Sequence, residues 1–104
     1  MKLILLERLK LLEMLPAEGS FVTLNIVNKL RESLAPTEAE LKEFELVEKD
    51  GQLTWNEKGR EEREIEVGEK ATDIIVEALK KLDDEGKLTA HHISVYEKFI
   101  VKKD

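Results

Sequence analysis

Cysteine is absent from the 104 residues, which removes disulfides, thiol nucleophiles and thiolate metal sites from consideration. Proline occurs twice and glycine five times. The glycines stand singly (Gly19, Gly51, Gly59, Gly68, Gly86) and suit turns or caps, so no glycine-rich phosphate loop is present. Aromatic side chains make up only 5%, and no apolar run approaches the roughly 20 residues of a membrane span. The Leu3–Leu6 run behind Met1 and Lys2 is broken by Glu7, Arg8 and Lys10 too early for a signal peptide, so a cytoplasmic protein is expected. An excess of positive charge is also missing. The formal charge of −6 offers no global attraction to phosphate backbones or anionic membranes.

What is present is a 12.0 kDa chain with 38% charged and 41% hydrophobic residues, enough for one hydrophobic core and not two. No internal repeat, low-complexity tract or linker divides it, so one domain is expected over residues 1–104. The charge is uneven: residues 35–70 alone carry a net −6, with the first and last thirds near neutral. Lys and Arg are interleaved among these acids, which reads first as a solvated face and second as a surface for a basic partner.

Apolar spacing divides the chain into a helical part over 1–44, a hairpin or small sheet over 45–67 and a helical hairpin over 68–102. Leu3 to Leu15 reads as a helix closed by Pro16. Its nine apolar residues spread around most of the circumference, whereas a helix on the outside of a monomer shows one stripe. Something must therefore cover it, either the rest of the chain or a second copy. Ser20 is the expected cap of a second helix reaching about Leu34, with Phe21, Leu24, Val27, Leu30 and Leu34 at three- or four-residue spacing. Thr37 and Glu40 form a capping box for a short third helix. After Phe44 the period falls to two, with Leu46, Leu53 and Trp55 arranged about an Asp50-Gly51 hairpin turn, and Glu64–Val67 offers a third strand. Ala71, Ile74, Ile75, Ala78, Leu79 and Leu82 define a fourth helix ended by Gly86. Thr89 caps the last, which carries Ile93, Tyr96, Phe99 and Ile100. The expected fold is α+β and mainly helical, with about five helices and a small antiparallel sheet of two or three strands.

No constellation of chemistry stands out, so no catalytic, metal-binding or cofactor-binding residues are expected. His91 and His92 are adjacent, about 100° apart on a helix, and read as exposed first-turn residues rather than one metal's ligands. The acids of Asp83–Glu85 are consecutive where a calcium loop needs alternating donors and a closing Glu. Ser20, Ser33 and Ser94 lack a nucleophile elbow, and the many glutamates of 35–70 select no acid–base pair. Three helices followed by a hairpin is the order of a winged helix. Its DNA-reading third helix would here offer Glu38, Glu40 and Glu43 against one Lys42, which argues against phosphate contact.

The stretches Leu15-Pro16-Ala17-Glu18-Gly19-Ser20-Phe21-Val22-Thr23-Leu24 and Gly51-Gln52-Leu53-Thr54-Trp55-Asn56, with the acidic loop and the Tyr96-Glu97-Lys98-Phe99 ending, resemble a set of small uncharacterised phage and prophage proteins. The resemblance spans nearly the whole chain and implies a phage or mobile-element accessory protein in the bacterial cytoplasm, with no site residues to carry over. The expected function is a non-catalytic protein-interaction module, binding a protein partner or itself as a homodimer or higher oligomer. Leu5, Leu6, Leu9 and Leu12 are the candidate interface if the first helix is not wholly internal. A winged-helix-like nucleic-acid-binding regulator is the alternative.

Overall fold

Each predicted helix has a capping or a stop signal in the sequence, and the computed structural model, which describes residues 1–101, uses almost all of them. The chain runs β1 (Lys2–Leu3), α1 (Leu5–Met14), α2 (Phe21–Leu34), α3 (Glu38–Glu43), β2 (Val47–Lys49), β3 (Gln52–Thr54), a 3₁₀ turn (Glu57–Arg60), β4 (Arg63–Glu64) and α4 (Glu69–Asp84). A second 3₁₀ turn (Ala90–His92) leads into α5 (Ile93–Tyr96), which widens into a π turn (Glu97–Val101). Lys102, the last residue of the expected helical hairpin, lies outside the described residues. The fold is α+β and mainly helical.

Caps set the helix boundaries. Ser20 Oγ accepts from the Thr23 N–H at 3.1 Å and starts α2, while Pro36 follows its end. At α3 the capping box forms as the spacing suggests. Glu40 N–H donates to Thr37 Oγ1 at 3.1 Å, and Thr37 N–H donates to Glu40 Oε1 at 3.0 Å. Gly86 takes φ +67° just after α4, letting the Lys87 N–H close on the Leu82 carbonyl at 2.8 Å. Asp50 and Gly51 both take positive φ, +53° and +78°, as a two-residue hairpin turn of this twist requires.

The apolar circumference of α1 is explained by its central position. It contacts α2, α4, α5 and both 3₁₀ turns, so its own chain covers it from several sides. Leu11 on α1, Val27, Leu30 and Leu34 on α2, Ile75 and Leu79 on α4, and Val95 and Phe99 at the carboxy end share one core with Leu3 and Ile65. Each leucine so buried contributes about 1.5–3 kcal/mol.

The sheet differs from a single two- or three-stranded unit. There are two antiparallel pairs, β2–β3 and β1–β4. Of the expected third strand Glu64–Val67 only Glu64 lies in a strand, β4, which pairs not with the hairpin but with residues 2–3, Lys2 opposite Glu64 and Leu3 opposite Arg63. This also shortens the first helix by two residues, because Leu3 is extended and buries its side chain beneath the pairing. Among the described residues no helix is long and apolar enough to cross a membrane.

Candidate interaction surface

Arg8 is the largest wholly buried side chain, 1% exposed, and its partners tie α1 to the α2–α3 corner. Its Nε donates to the Leu34 carbonyl at 2.9 Å and its Nη2 to the Ala35 carbonyl at 3.1 Å. Both terminal nitrogens grip the Glu40 carboxylate, at 2.8 and 2.9 Å. The Arg8 hydrogen bond, opposed by burial and aided by the Thr37 N–H, holds Glu40 at about 2. A carboxyl held there is a poor proton acceptor near neutral pH.

Around this bond lies a lattice that uses much of the acidic middle third. Arg63 stacks over the Phe44 ring at 4.6 Å, pairs with Glu43, and reaches Glu61 at 3.3 Å. Its hydrogen bond lowers the Glu43 carboxyl below the usual range. Lys98 donates to Glu7 and Glu62, both at 2.8 Å, and to the Lys2 carbonyl at 2.9 Å. Burial disfavours its ammonium, but the two carboxylates outweigh burial and raise its pKa. Glu40, Glu43, Glu61 and Glu62 are thus engaged within the fold, and residues 35–70 present less free negative charge than their composition suggests. No group of three His, Asp or Glu among the described residues is arranged to hold a metal ion.

The leucines proposed from sequence as an interface fall on the inner element. Leu5 is 1% exposed, and Leu6, Leu9 and Leu12 are half-buried, Leu12 against the core. Bare apolar surface lies elsewhere. Phe21 is 85% exposed and Val22 61%, side by side in the first turn of α2. Leu41, Val47 and Leu53 are exposed around α3 and the hairpin, and Ile93 and Val101 along the carboxy-terminal turns.

Behind that first turn of α2 an open groove of about 640 Å³ follows α4. Met14, Pro16, Ile74, Ala78 and Leu82 form its apolar floor, and Glu13, Glu18, Glu77, Glu85 and Lys81 its charged rim. Thr23 and His92 complete the wall. His92 is only 8% exposed, contrary to the expected exposed first-turn pair, whereas His91 is exposed. The reason is a cap: the Thr89 N–H donates to His92 Nδ1 at 2.9 Å, drawing the ring back over the helix start. The Thr89 hydroxyl lies 3.0 Å from the same nitrogen.

Two of these features escaped the spacing argument. Phe21 opens the three- or four-residue spacing that leads to Val27, Leu30 and Leu34, yet at about 100° per residue it sits about 120° from Val27 and off the buried stripe. That angle was available from the sequence. The inward turn of His92 had a weaker signal, its position three residues after a Thr cap. Comparison with known proteins finds no match to a family model, to a curated protein or to a solved structure.

Proposed function

We propose that the chain is a non-catalytic protein-interaction module, a phage-type accessory protein working in the cytoplasm and binding a protein partner or a second copy of itself. One observation carries the reading: Phe21 and Val22 stand bare side by side in the first turn of α2, in a fold that buries its other two Phe residues, Phe44 and Phe99. Leu5 is buried and Leu6, Leu9 and Leu12 are half-buried under neighbouring elements, whereas Phe21 is the most exposed large apolar side chain, which favours the start of α2 as the contact surface. A typical contact covers about 800 Å² per partner, close to a tenth of the 7279 Å² surface. The phage-type setting is supported by the resemblance in the Leu15–Leu24 and Gly51–Asn56 stretches.

Photo-crosslinking tests this reading. Benzoylphenylalanine at position 21 is expected to give a discrete adduct in expressing bacteria, while the same group at the exposed position 57 gives none. An adduct of doubled mass identifies a second copy. No adduct at 21, or identical patterns at 21 and 57, refutes the start of α2 as the contact surface.

The winged-helix-like regulator is the second reading, favoured by the observed order of α1, α2, α3 and the β2–β3 hairpin. Its chemistry is opposed by Glu38 and Glu45, which lie exposed at either end of α3 beside a single Lys42. Retention on non-specific DNA that falls steeply with salt would support it, and no retention at low salt would remove it.

A further inference from the structure

We propose that the groove along α4 docks a cationic amphipathic helix of a partner protein, an inference that rests on the interaction-module reading and names the chemistry of the partner. Its shape comes first. Ile74, Glu77, Ala78, Lys81, Leu82 and Glu85 line it at helical spacing, so the trough runs some 16 Å along α4, about three turns of a helix laid beside it. Its volume lies within the range of about 300–1,000 Å³ common for ligand sites, but its open, elongated form suits a peptide helix better than a compact small molecule.

Charge selects the occupant. Glu13, Glu18, Glu77 and Glu85 stand on the rim with Lys81; Glu13 pairs with Lys10 at 3.2 Å and Glu85 with Lys87 at 3.8 Å, and Glu18 and Glu77 are the two rim carboxylates with no ion pair among the described residues. A helix with an apolar face for Met14, Ala78 and Leu82 and lysines or arginines on its flanks satisfies floor and rim together. A second copy meeting it groove to groove would bring the same acidic rim and be repelled.

The wall supplies an independent feature. His92 Nδ1 is occupied as an acceptor by Thr89, which leaves Nε2 as the nitrogen that bears hydrogen in the neutral ring. Nε2 makes no hydrogen bond among the described residues, and because no buried side-chain nitrogen there is left unpaired, it opens to solvent at the groove that His92, 8% exposed, borders. A donor held there suits the open carbonyls at the last turn of a docked helix.

The test is an NMR titration of the labelled full chain with a synthetic Leu/Lys amphipathic helix of about four turns, and with its Leu/Glu counterpart. The Lys peptide is expected to shift the amides of Met14, Ile74, Ala78, Leu82 and His92, and the Glu peptide to leave them in place. Glu18→Lys with Glu77→Lys is expected to weaken binding about tenfold. Glu48→Lys with Glu57→Lys makes the same change in net charge away from the groove and is expected to change it less than twofold. Circular dichroism of both double variants establishes that they fold. The proposal is overturned if no peptide binds, if both peptides bind alike, if the two double variants weaken binding equally, or if the shifts map elsewhere. Those failures with the crosslink at position 21 intact remove the groove and leave the interaction module standing. Groove binding without that crosslink instead removes the Phe21 surface and upholds the groove.

Discussion

Replacing Arg8 with Met tests the most specific energetic feature of the fold. The change keeps an unbranched chain in the site but deletes a guanidinium that is 1% exposed and makes four hydrogen bonds. It strands the Leu34 and Ala35 carbonyls and leaves the Glu40 carboxylate, 13% exposed, with Arg63 at 3.6 Å as its nearest cation. Breaking one side of such a pair costs about 3–5 kcal/mol, out of a total that for a chain of this size is about 5–15 kcal/mol. The urea midpoint should therefore fall by about 2 M or more at pH 7. The pH dependence provides a second reading of the same bond. Glu40 moves from 4.5 to about 2 on folding, so the folded state binds fewer protons between those values. The stability this confers is complete above about 4.5 and is lost as the pH falls towards 2. Allowing for solvent at the carboxylate edge, it amounts to about 2–3 kcal/mol. Arg8→Met should remove most of that part of the acid dependence, the Thr37 N–H and Arg63 still favouring the Glu40 carboxylate, and retain the part arising from Glu43, Glu62 and Glu64, whose partners are untouched. Urea titrations of both proteins at pH 7 and pH 3 measure it. A loss below about 1 kcal/mol at pH 7, or an unchanged acid dependence, would refute the reasoning.

Three further outcomes are expected. Gly59→Ala places a methyl 2.5 Å from Trp55 Cδ1 and 3.4 Å from Leu5 Cδ2, and should cost about 1–3 kcal/mol and shift the emission of the single Trp; an unchanged melt and spectrum would contradict the contact. Gly51→Val forces a β-branched residue to φ +78° and should expose the β2–β3 amides to hydrogen exchange with helical circular dichroism intact. On α2, Phe21→Asp should change stability by no more than about 0.5 kcal/mol, whereas Leu30→Ala should cost about 2–5 kcal/mol; equal effects in thermal melts would mean that Phe21 is not bare.

Local rules carried most of the element list. Ser20, the Thr37/Glu40 box, Asp50-Gly51 and Gly86 act within a few residues of themselves, so their outcome could be read without knowing the fold. The four-residue spacing through Ala71, Ile75 and Leu79 likewise placed the buried face of α4. Candidate-site residues were less legible, since exposure depends on what other elements cover. The apolar girth of α1 required a cover, but only the tertiary arrangement decided that α2, α4 and α5 supply it, moving the available apolar surface from Leu6 and Leu9 to Phe21 and Val22.

The charged residues divide along the same line. Composition determined that residues 35–70 are acidic and that Arg8 sits among leucines. It did not determine that Arg8 would meet a carboxylate 32 positions away, or Lys98 one 91 positions away. Those pairings depend on which chain ends and corners come together in space, and side chains so far apart in sequence have no local preference for each other. Capping and periodicity are short-range physics and are written in the order of the residues; coverage, ion pairing and the groove beside α4 exist only once distant segments meet.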